Sequence, residues 1–246
     1  MSEGAGSTYP PRRSPLVVVI SANAEWAPIK DALKPSHLEP SPYGDSFTCR
    51  VADEEVVFFH GGWGKIAAAA STEYAIGRWH PEVLINLGTC GGIEGRAERG
   101  EKLLVTRTIT YDIHEAIGDS AEAIRTYTID IDLTWLDGSL PIQVRHVPMV
   151  SGDRDLVPSD VPDLVRRFDA VAGDWESGAI AYVAGRRNTR LLIVRAVSDL
   201  VNTQGGEAIG NLTLFHNEAA RLMRSLLDDL ARLVPYIRTR CQETAG

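Results

Sequence analysis

Cysteine is scarce and unpatterned: three in 246 residues, at Cys49, Cys90 and Cys241. No CxxC pair or Cys/His spacing of the zinc-ligand type occurs, and an odd, scattered set offers no disulfide framework. The expectation is reduced thiols in a cytoplasm. The carboxylates also lack His or Cys partners at ligand spacing, so no metal and no cofactor is expected. Long apolar runs are missing as well, and none approaches the roughly 20 residues of a membrane span. Arg12-Arg13 ahead of Leu16-Val-Val-Val-Ile20 has the outline of a twin-arginine export signal. That apolar run is shorter than the roughly 7–15 residues an export core needs, so it reads as a buried strand. Positive charge is in deficit, with 25 Lys+Arg against 33 Asp+Glu and a net charge of −8. This excludes a general nucleic-acid or anionic-membrane binder, which carries a basic field. A small anionic or nucleoside ligand stays open, because local charge decides such binding.

At 44% hydrophobic residues the chain is an ordinary globular one, long enough to bury about 70–75% of its unfolded surface without a staple. Short apolar, β-branched runs without alternation predict strands buried on both faces at 16–21, 55–60, 83–88, 102–111, 143–150, 170–175 and 191–196. Helical spacing falls between several of them, at 65–79, 159–167 and 177–185, and a long amphipathic helix closes the chain at 212–237. Such alternation predicts an α/β fold with a mostly parallel or mixed central sheet. No internal repeat or linker interrupts it, so residues 16–246 read as one domain behind a flexible tail at 1–15. The polar, Asp-rich segment 112–141 reads as an irregular excursion, a lid or an oligomer contact.

In open α/β sheets ligands bind beyond the carboxyl ends of the strands. The residues that follow the apolar runs are Asn23 and Glu25; Gly88-Thr-Cys-Gly-Gly92; Trp175-Glu176-Ser177-Gly178; and Arg195-Ala-Val-Ser198-Asp199. Each signal is weak alone. The glycine run is either a plain turn or a place where a ligand approaches exposed N–H groups. It lacks the Lys of a phosphate-binding loop and the spacing of a dinucleotide fingerprint. Glu25 and Glu176 either favour the first turns of helices through the macrodipole or do chemistry. Asp199 is either a buried partner of Arg195 or an acid. Cys90 reads as a small apolar filler, and His60 and His114 as structural or surface residues. Together the carboxylates, the Arg and the hydroxyls can hold vicinal sugar hydroxyls and protonate a leaving group, which is what breaking a glycosidic bond requires.

Over residues 16–235 the chain resembles the nucleoside phosphorylase/nucleosidase superfamily, especially its methylthioadenosine/S-adenosylhomocysteine nucleosidase branch. The resemblance rests on His60-Gly-Gly-Trp-Gly-Lys65, Ile85-Asn-Leu-Gly-Thr-Cys-Gly-Gly92, Val150-Ser-Gly-Asp153, Trp175-Glu-Ser-Gly-Ala179 and Val194-Arg-Ala-Val-Ser-Asp199, in that order. It implies a three-layer αβα sandwich whose mixed sheet closes partly into a barrel, in a homodimer or higher homo-oligomer. It further implies that Asp199 donates a proton to N7 of a purine leaving group, with Ser198 orienting it. Glu176 would bind ribose hydroxyls, Arg195 and Thr89 would help position the nucleophile and sugar beside Gly88, and Glu25 would activate water.

Charge then separates hydrolase from phosphorylase. A phosphate co-substrate needs cationic side chains, and where phosphorylases carry Arg before the Gly-Thr motif this chain has Asn86. Glu25 would repel phosphate but polarise water as a general base. The reading is therefore hydrolysis of an adenine-type purine nucleoside to free base and sugar. A phosphorylase and a non-catalytic nucleoside-binding relative are the alternatives. Three departures bear on substrate. The family's Met-Glu pair is Trp175-Glu176, a Met of the first loop is Asn23, and the Phe that stacks on adenine is Asp155, followed by Leu156. Phe215 of the last helix is a candidate replacement aromatic. The pocket reads as more polar than a methylthio-nucleoside site, which points to a more polar 5′ group or a different base.

Overall fold

A computed structural model describes residues 13–136 and 138–244. In chain order the elements are β1 (Leu16–Ile20), α1 (Asn23–Leu33), β2 (Glu39–Pro40), β3 (Asp45–Val51), β4 (Glu54–His60), α2 (Gly64–Trp79), β5 (Val83–Ile93), β6 (Lys102–Thr110), α3 (Ser120–Thr126), β7 (Thr128–Asp130), β8 (Arg145–Ser151), α4 (Val161–Phe168), β9 (Ala172–Asp174), α5 (Ser177–Arg186), β10 (Leu191–Val201) and α6 (Leu212–Glu243). The strand order is β10-β6-β8-β9-β5-β1-β4-β3-β2, and β10 also pairs with β5. The strands β5, β10, β6, β8 and β9 thus close a ring, while β1 to β4 extend it as an open wing. Parallel and antiparallel pairs are mixed, as expected.

Side-chain alternation builds the layers. In β1, Leu16, Val18 and Ile20 enter a core with Trp26 and Ile29 of α1 and the apolar stripe of α6. Val17 and Val19 enter the opposite core, with Ala68 and Ala75 of α2 and Ile180, Ala181 and Ala184 of α5. The result is the predicted three-layer α/β sandwich. Helix α6 holds despite Pro235 within it. An interior proline costs about 3 kcal/mol, whereas each fully buried Leu, Met or Ile contributes about 1.5–3 kcal/mol, and Leu222, Met223, Leu226, Leu230, Leu233 and Ile237 are all buried.

Three expectations need correction. Gly88–Gly92 is not a turn, because β5 continues through it to Ile93, and β10 likewise runs on to Val201. Ring closure supplies pairing partners that no local signal shows, with Gly91 and Gly92 meeting β9 and β10. A Cβ on Gly92 would sit 2.7 Å from Val197 and 2.9 Å from Leu200, so glycine is what lets the strands close. Segment 112–141 is not irregular throughout, since it contains α3 and β7, and β7 pairs with β6. Of the tail expected at 1–15, residues 1–12 lie outside the described residues. The carbonyl of Ser14 accepts from Arg238 Nη1 at 2.9 Å, and that of Pro15 accepts from the Glu82 N–H at 2.9 Å. Among the described residues no helix is long and apolar enough to cross a membrane. None of their His, Cys, Asp and Glu side chains form a group of three or more that could hold a metal ion.

Candidate active site

The polar residues gather where the open wing becomes the ring. Glu25 stands in the first turn of α1 and is only 4% exposed. Its Oε1 accepts from the Thr89 N–H at 2.5 Å and the Thr89 hydroxyl at 2.8 Å, and its Oε2 accepts from the Ala22 N–H at 3.3 Å. Glu25 therefore caps the start of α1 and also reaches the Gly-Thr segment of β5. Arg195 of β10 is fully buried. Its Nε lies 2.7 Å from Asp174 Oδ2, and its Nη2 donates to Asn86 Oδ1 at 2.8 Å and to Ser177 Oγ at 3.1 Å. Nη1 has no partner among the described residues. It lies over Gly88, where a Cβ would come within 1.8 Å of it and 3.0 Å of Glu25 Oε1. Gly88 must be glycine for the guanidinium to reach this position, and the free donor faces the Glu25 side of the site.

Asp199 does not pair with Arg195, whose close carboxylate is Asp174. Asp174 is further anchored by the Ser177 hydroxyl and by the Ser177 N–H at 3.2 Å. Sequence reading passed over Asp174, although a carboxylate closing a buried strand just before Trp175-Glu176 was a usable signal. Glu176 caps α5 by position only. Its Oε1 accepts from the Gly64 N–H at 3.1 Å, and its Oε2 lies 3.9 Å from Arg195 Nη2. Burial pushes its carboxyl up to about 8; Arg195 opposes the shift, and Asp174 and Glu25 add to it. Trp175 stacks on Trp63, with ring centroids 4.9 Å apart, a pairing across distant segments that sequence did not show.

The second carboxylate of the strand edge sits further along. Between Val197 and Asp199 the ladder to β5 shifts register, so Ser198 is an extra residue opposite Cys90 and Gly91. Such a bulge re-aims the side chains around it. Ser198 Oγ is 3.2 Å from the Cys90 carbonyl and 2.6 Å from Asp199 Oδ1. A hydroxyl has one proton to give and a carbonyl can only accept. The shorter contact takes that proton, so the Ser198 hydroxyl donates to Asp199 Oδ1. Burial raises the Asp199 carboxyl above its usual range; Ser198 opposes this, and the charges of Glu207 and Asp155 reinforce it. Leu156 packs beside Gly91, 3.5 Å from where a Cβ would stand, with Asp199 Oδ2 at 3.9 Å from the same point. Asp155 is exposed. Phe215, on α6, has His216 as its ring neighbour, at 5.9 Å. Cys90 is buried with its thiol pushed well above the ordinary value, first by burial, which suits a filler. Gly88 and Gly91, the β5 partners of Arg195 and Asp199, are three residues apart, about 10 Å of strand. Glu25 and Arg195 thus stand at one end of this edge and Asp199 at the other.

The sequence profile of the phosphorylase superfamily matches residues 17–232. The chain belongs to the phosphorylase superfamily. Among curated members, the 5′-methylthioadenosine/S-adenosylhomocysteine nucleosidase of Staphylococcus carnosus is 30% identical over 188 residues, covering 70% of this chain and 78% of the relative. That of Staphylococcus haemolyticus is 24% identical over 228 residues, covering 88% and 99%. The fold is shared with the 5′-methylthioadenosine nucleosidase of Arabidopsis thaliana, with a TM-score of 0.74 at 21% identity over 92% of this chain and 97% of that one. Asp174, Glu176 and Glu25 stand around the buried guanidinium of Arg195, and Asp199 lies further along the edge.

Proposed function

We propose that this superfamily member is a purine nucleosidase that hydrolyses the N-glycosidic bond of an adenine-type nucleoside to free base and sugar. The observation that carries the reading is Glu25, a buried carboxylate fixed on Thr89 and facing the free Nη1 of Arg195. Water between these groups is polarised by Glu25, whereas a phosphate there would face a carboxylate and a guanidinium already neutralised by Asp174. Lys65 adds no anion site, because its ammonium is bound by Asp112. In the reaction, Glu25 takes a proton from water and the water oxygen bonds to C1′. The C1′–N9 bond breaks with its electron pair passing into the base, and Asp199 gives its proton to N7. Glu176 hydrogen-bonds to the ribose hydroxyls and holds the sugar in place as the C1′–N9 bond breaks. Proton exchange with solvent restores both carboxyl groups.

The curated relatives are named for methylthioadenosine and S-adenosylhomocysteine. Asp155, in place of an aromatic at the base, favours a substrate that presents more hydrogen-bond donors there, or a more polar 5′ group. Trp63 at 67%, Ile66 at 86% and Ile117 at 105% exposure are apolar surface that favours a homodimer or higher homo-oligomer, working in the cytoplasm. The test is a panel of adenine and hypoxanthine nucleosides with hydroxyl, methylthio and homocysteinyl 5′ groups, followed by chromatography with and without phosphate. Free base should be released at a rate independent of phosphate. Sugar 1-phosphate formed only when phosphate is added would overturn hydrolysis in favour of phosphorolysis.

A further inference from the structure

Helix α2 begins without a cap of its own. Its N-cap residue, Trp63, has no side-chain acceptor for the free N–H groups of the first turn. Two carboxylates from distant segments supply what is missing. The Gly64 N–H donates to Glu176 Oε1 at 3.1 Å, and the Lys65 N–H donates to Asp153 Oδ1 at 2.7 Å. A second set of bonds locks the same corner. Lys65 Nζ lies 2.6 Å from both oxygens of Asp112, and Asp112 Oδ2 accepts from the Asp153 N–H at 2.9 Å. Three chain segments, at the start of α2 and after β6 and β8, are thereby joined around one residue, Gly64. Gly64 has φ +84°, and a Cβ on it would lie 3.1 Å from Asp153 Oδ1. Only glycine takes this conformation cheaply.

We propose that Lys65, Asp112 and Asp153 are positioning residues that hold the Gly64 N–H against Glu176, and so aim the carboxylate that recognises the ribose hydroxyls. The inference rests on the reading of Glu176 as the ribose-binding group. Glu176 has a backbone donor on one oxygen and Arg195 near the other, so its carboxylate plane is fixed from two sides. Releasing the corner frees the Gly64 side only. The carboxylate can then rotate about its last torsion while Arg195, Glu25 and Asp199 keep their places. Hydroxyl recognition is lost before proton transfer is.

The experiment compares a ribonucleoside with its 2′-deoxy counterpart as substrates of the full chain. Asp112→Asn and Lys65→Met should each raise KM for the ribonucleoside about tenfold, with kcat changed far less and KM for the deoxynucleoside unmoved. Asp112→Glu should restore part of the preference. Gly64→Ala, which disturbs the donor itself, should abolish it. The limb of the pH profile that belongs to Glu176 should also move upward, because the Gly64 N–H stabilises its ionised form. If the corner only caps α2, these variants melt earlier but keep the ribo/deoxy ratio, and the proposal is overturned. Glu176→Gln is the control for the underlying reading. If it leaves the ribo/deoxy ratio intact, the ribose assignment itself fails. If it collapses the ratio while Asp112→Asn does not, only the positioning role fails.

Discussion

At the Gly88 end of the strand edge, Glu25, Asp174, Glu176 and Arg195 are buried and held on several sides by backbone N–H groups, Thr89, Ser177 and Asn86. At the Asp199 end, the acid is hydrogen-bonded, among the described residues, to Ser198 alone, beside a partly buried Leu156 and an exposed Asp155. Of the sequence departures, Trp175 and Asn23 neighbour the first end and Asp155 falls at the second. A buried ion cluster tolerates little change, because removing one member strands the others without partners, at a cost of about 3–5 kcal/mol. An exposed residue at the base end carries no such penalty. On the proposed function, bond breaking is shared between the rigid end and Asp199, and the choice of base falls to the rim.

The largest effects should come from the two groups that move protons. Asp199→Asn keeps the shape and the contact with Ser198 but has no acidic proton. Glu25→Gln keeps an acceptor for Thr89 but is no base. General acid–base catalysis is worth about 10²–10⁴-fold, so each variant should lose that much kcat on every nucleoside of the panel. Circular dichroism and melting should stay near wild type. In the wild type, kcat should fall as pH rises through the elevated titration of Asp199, since the ionised form cannot protonate the base. A loss under tenfold in Asp199→Asn for all nucleosides would remove it from the mechanism.

How much of this was legible before the structure depends on whether the signal was local. Strand β1 announces itself because every residue is apolar and buried, and β4 does so through its buried run Val56–Phe59. Strand β3 carries no such run, since its outward Thr48 and Arg50 alternate with inward Phe47 and Val51. Helix α1 is marked weakly, with Pro28 inside it. The extension of β5 through Gly88–Gly92 follows from ring closure with β9 and β10, partners more than 75 residues away. The site divides the same way. Glu176, Arg195 and Asp199 stand in recognisable motifs and Glu25 follows the first apolar run, but the pairing of Arg195 with Asp174 rather than Asp199 is a matter of which side of β10 faces which strand. The capping of α2 by Asp153 and Glu176 is likewise invisible until the segments meet.

A mid-sized effect should come from the rim. Asp155→Phe places an aromatic face where the base lies and removes a negative charge near Asp199. Aromatic contacts are worth about 0.5–1.5 kcal/mol beyond their area, which is up to about tenfold in affinity. KM for adenine nucleosides should drop by about three- to tenfold, with kcat little changed. The Asp199 limb of the pH profile should move toward lower pH, because a like charge that disfavours ionisation is gone. An unchanged KM across adenine nucleosides would show that Asp155 does not face the base, and the contrast between rigid end and selective rim would lose its main support.

The smallest effect probes the rigid end through stability. The Glu176 carboxyl is raised to about 8 in the fold by burial, against about 4.3 in an unfolded chain. A carboxyl raised in this way binds its proton more tightly when folded. Its favourable contribution is complete below the unfolded value and is lost as pH climbs through the folded one. The wild type should therefore melt progressively earlier from about pH 5 to pH 9. Glu176→Gln still accepts from Gly64 but does not titrate, so its melting curve should be flatter over that window. The two should differ by several degrees at pH 9, given about 2–4 °C per kcal/mol for a chain of this size. Parallel curves would mean that Arg195 holds Glu176 ionised at neutral pH. Ribose recognition would then begin from a charged carboxylate, and the Gly88 end would be an ion triad of Asp174, Arg195 and Glu176 rather than an ion pair beside a protonated acid.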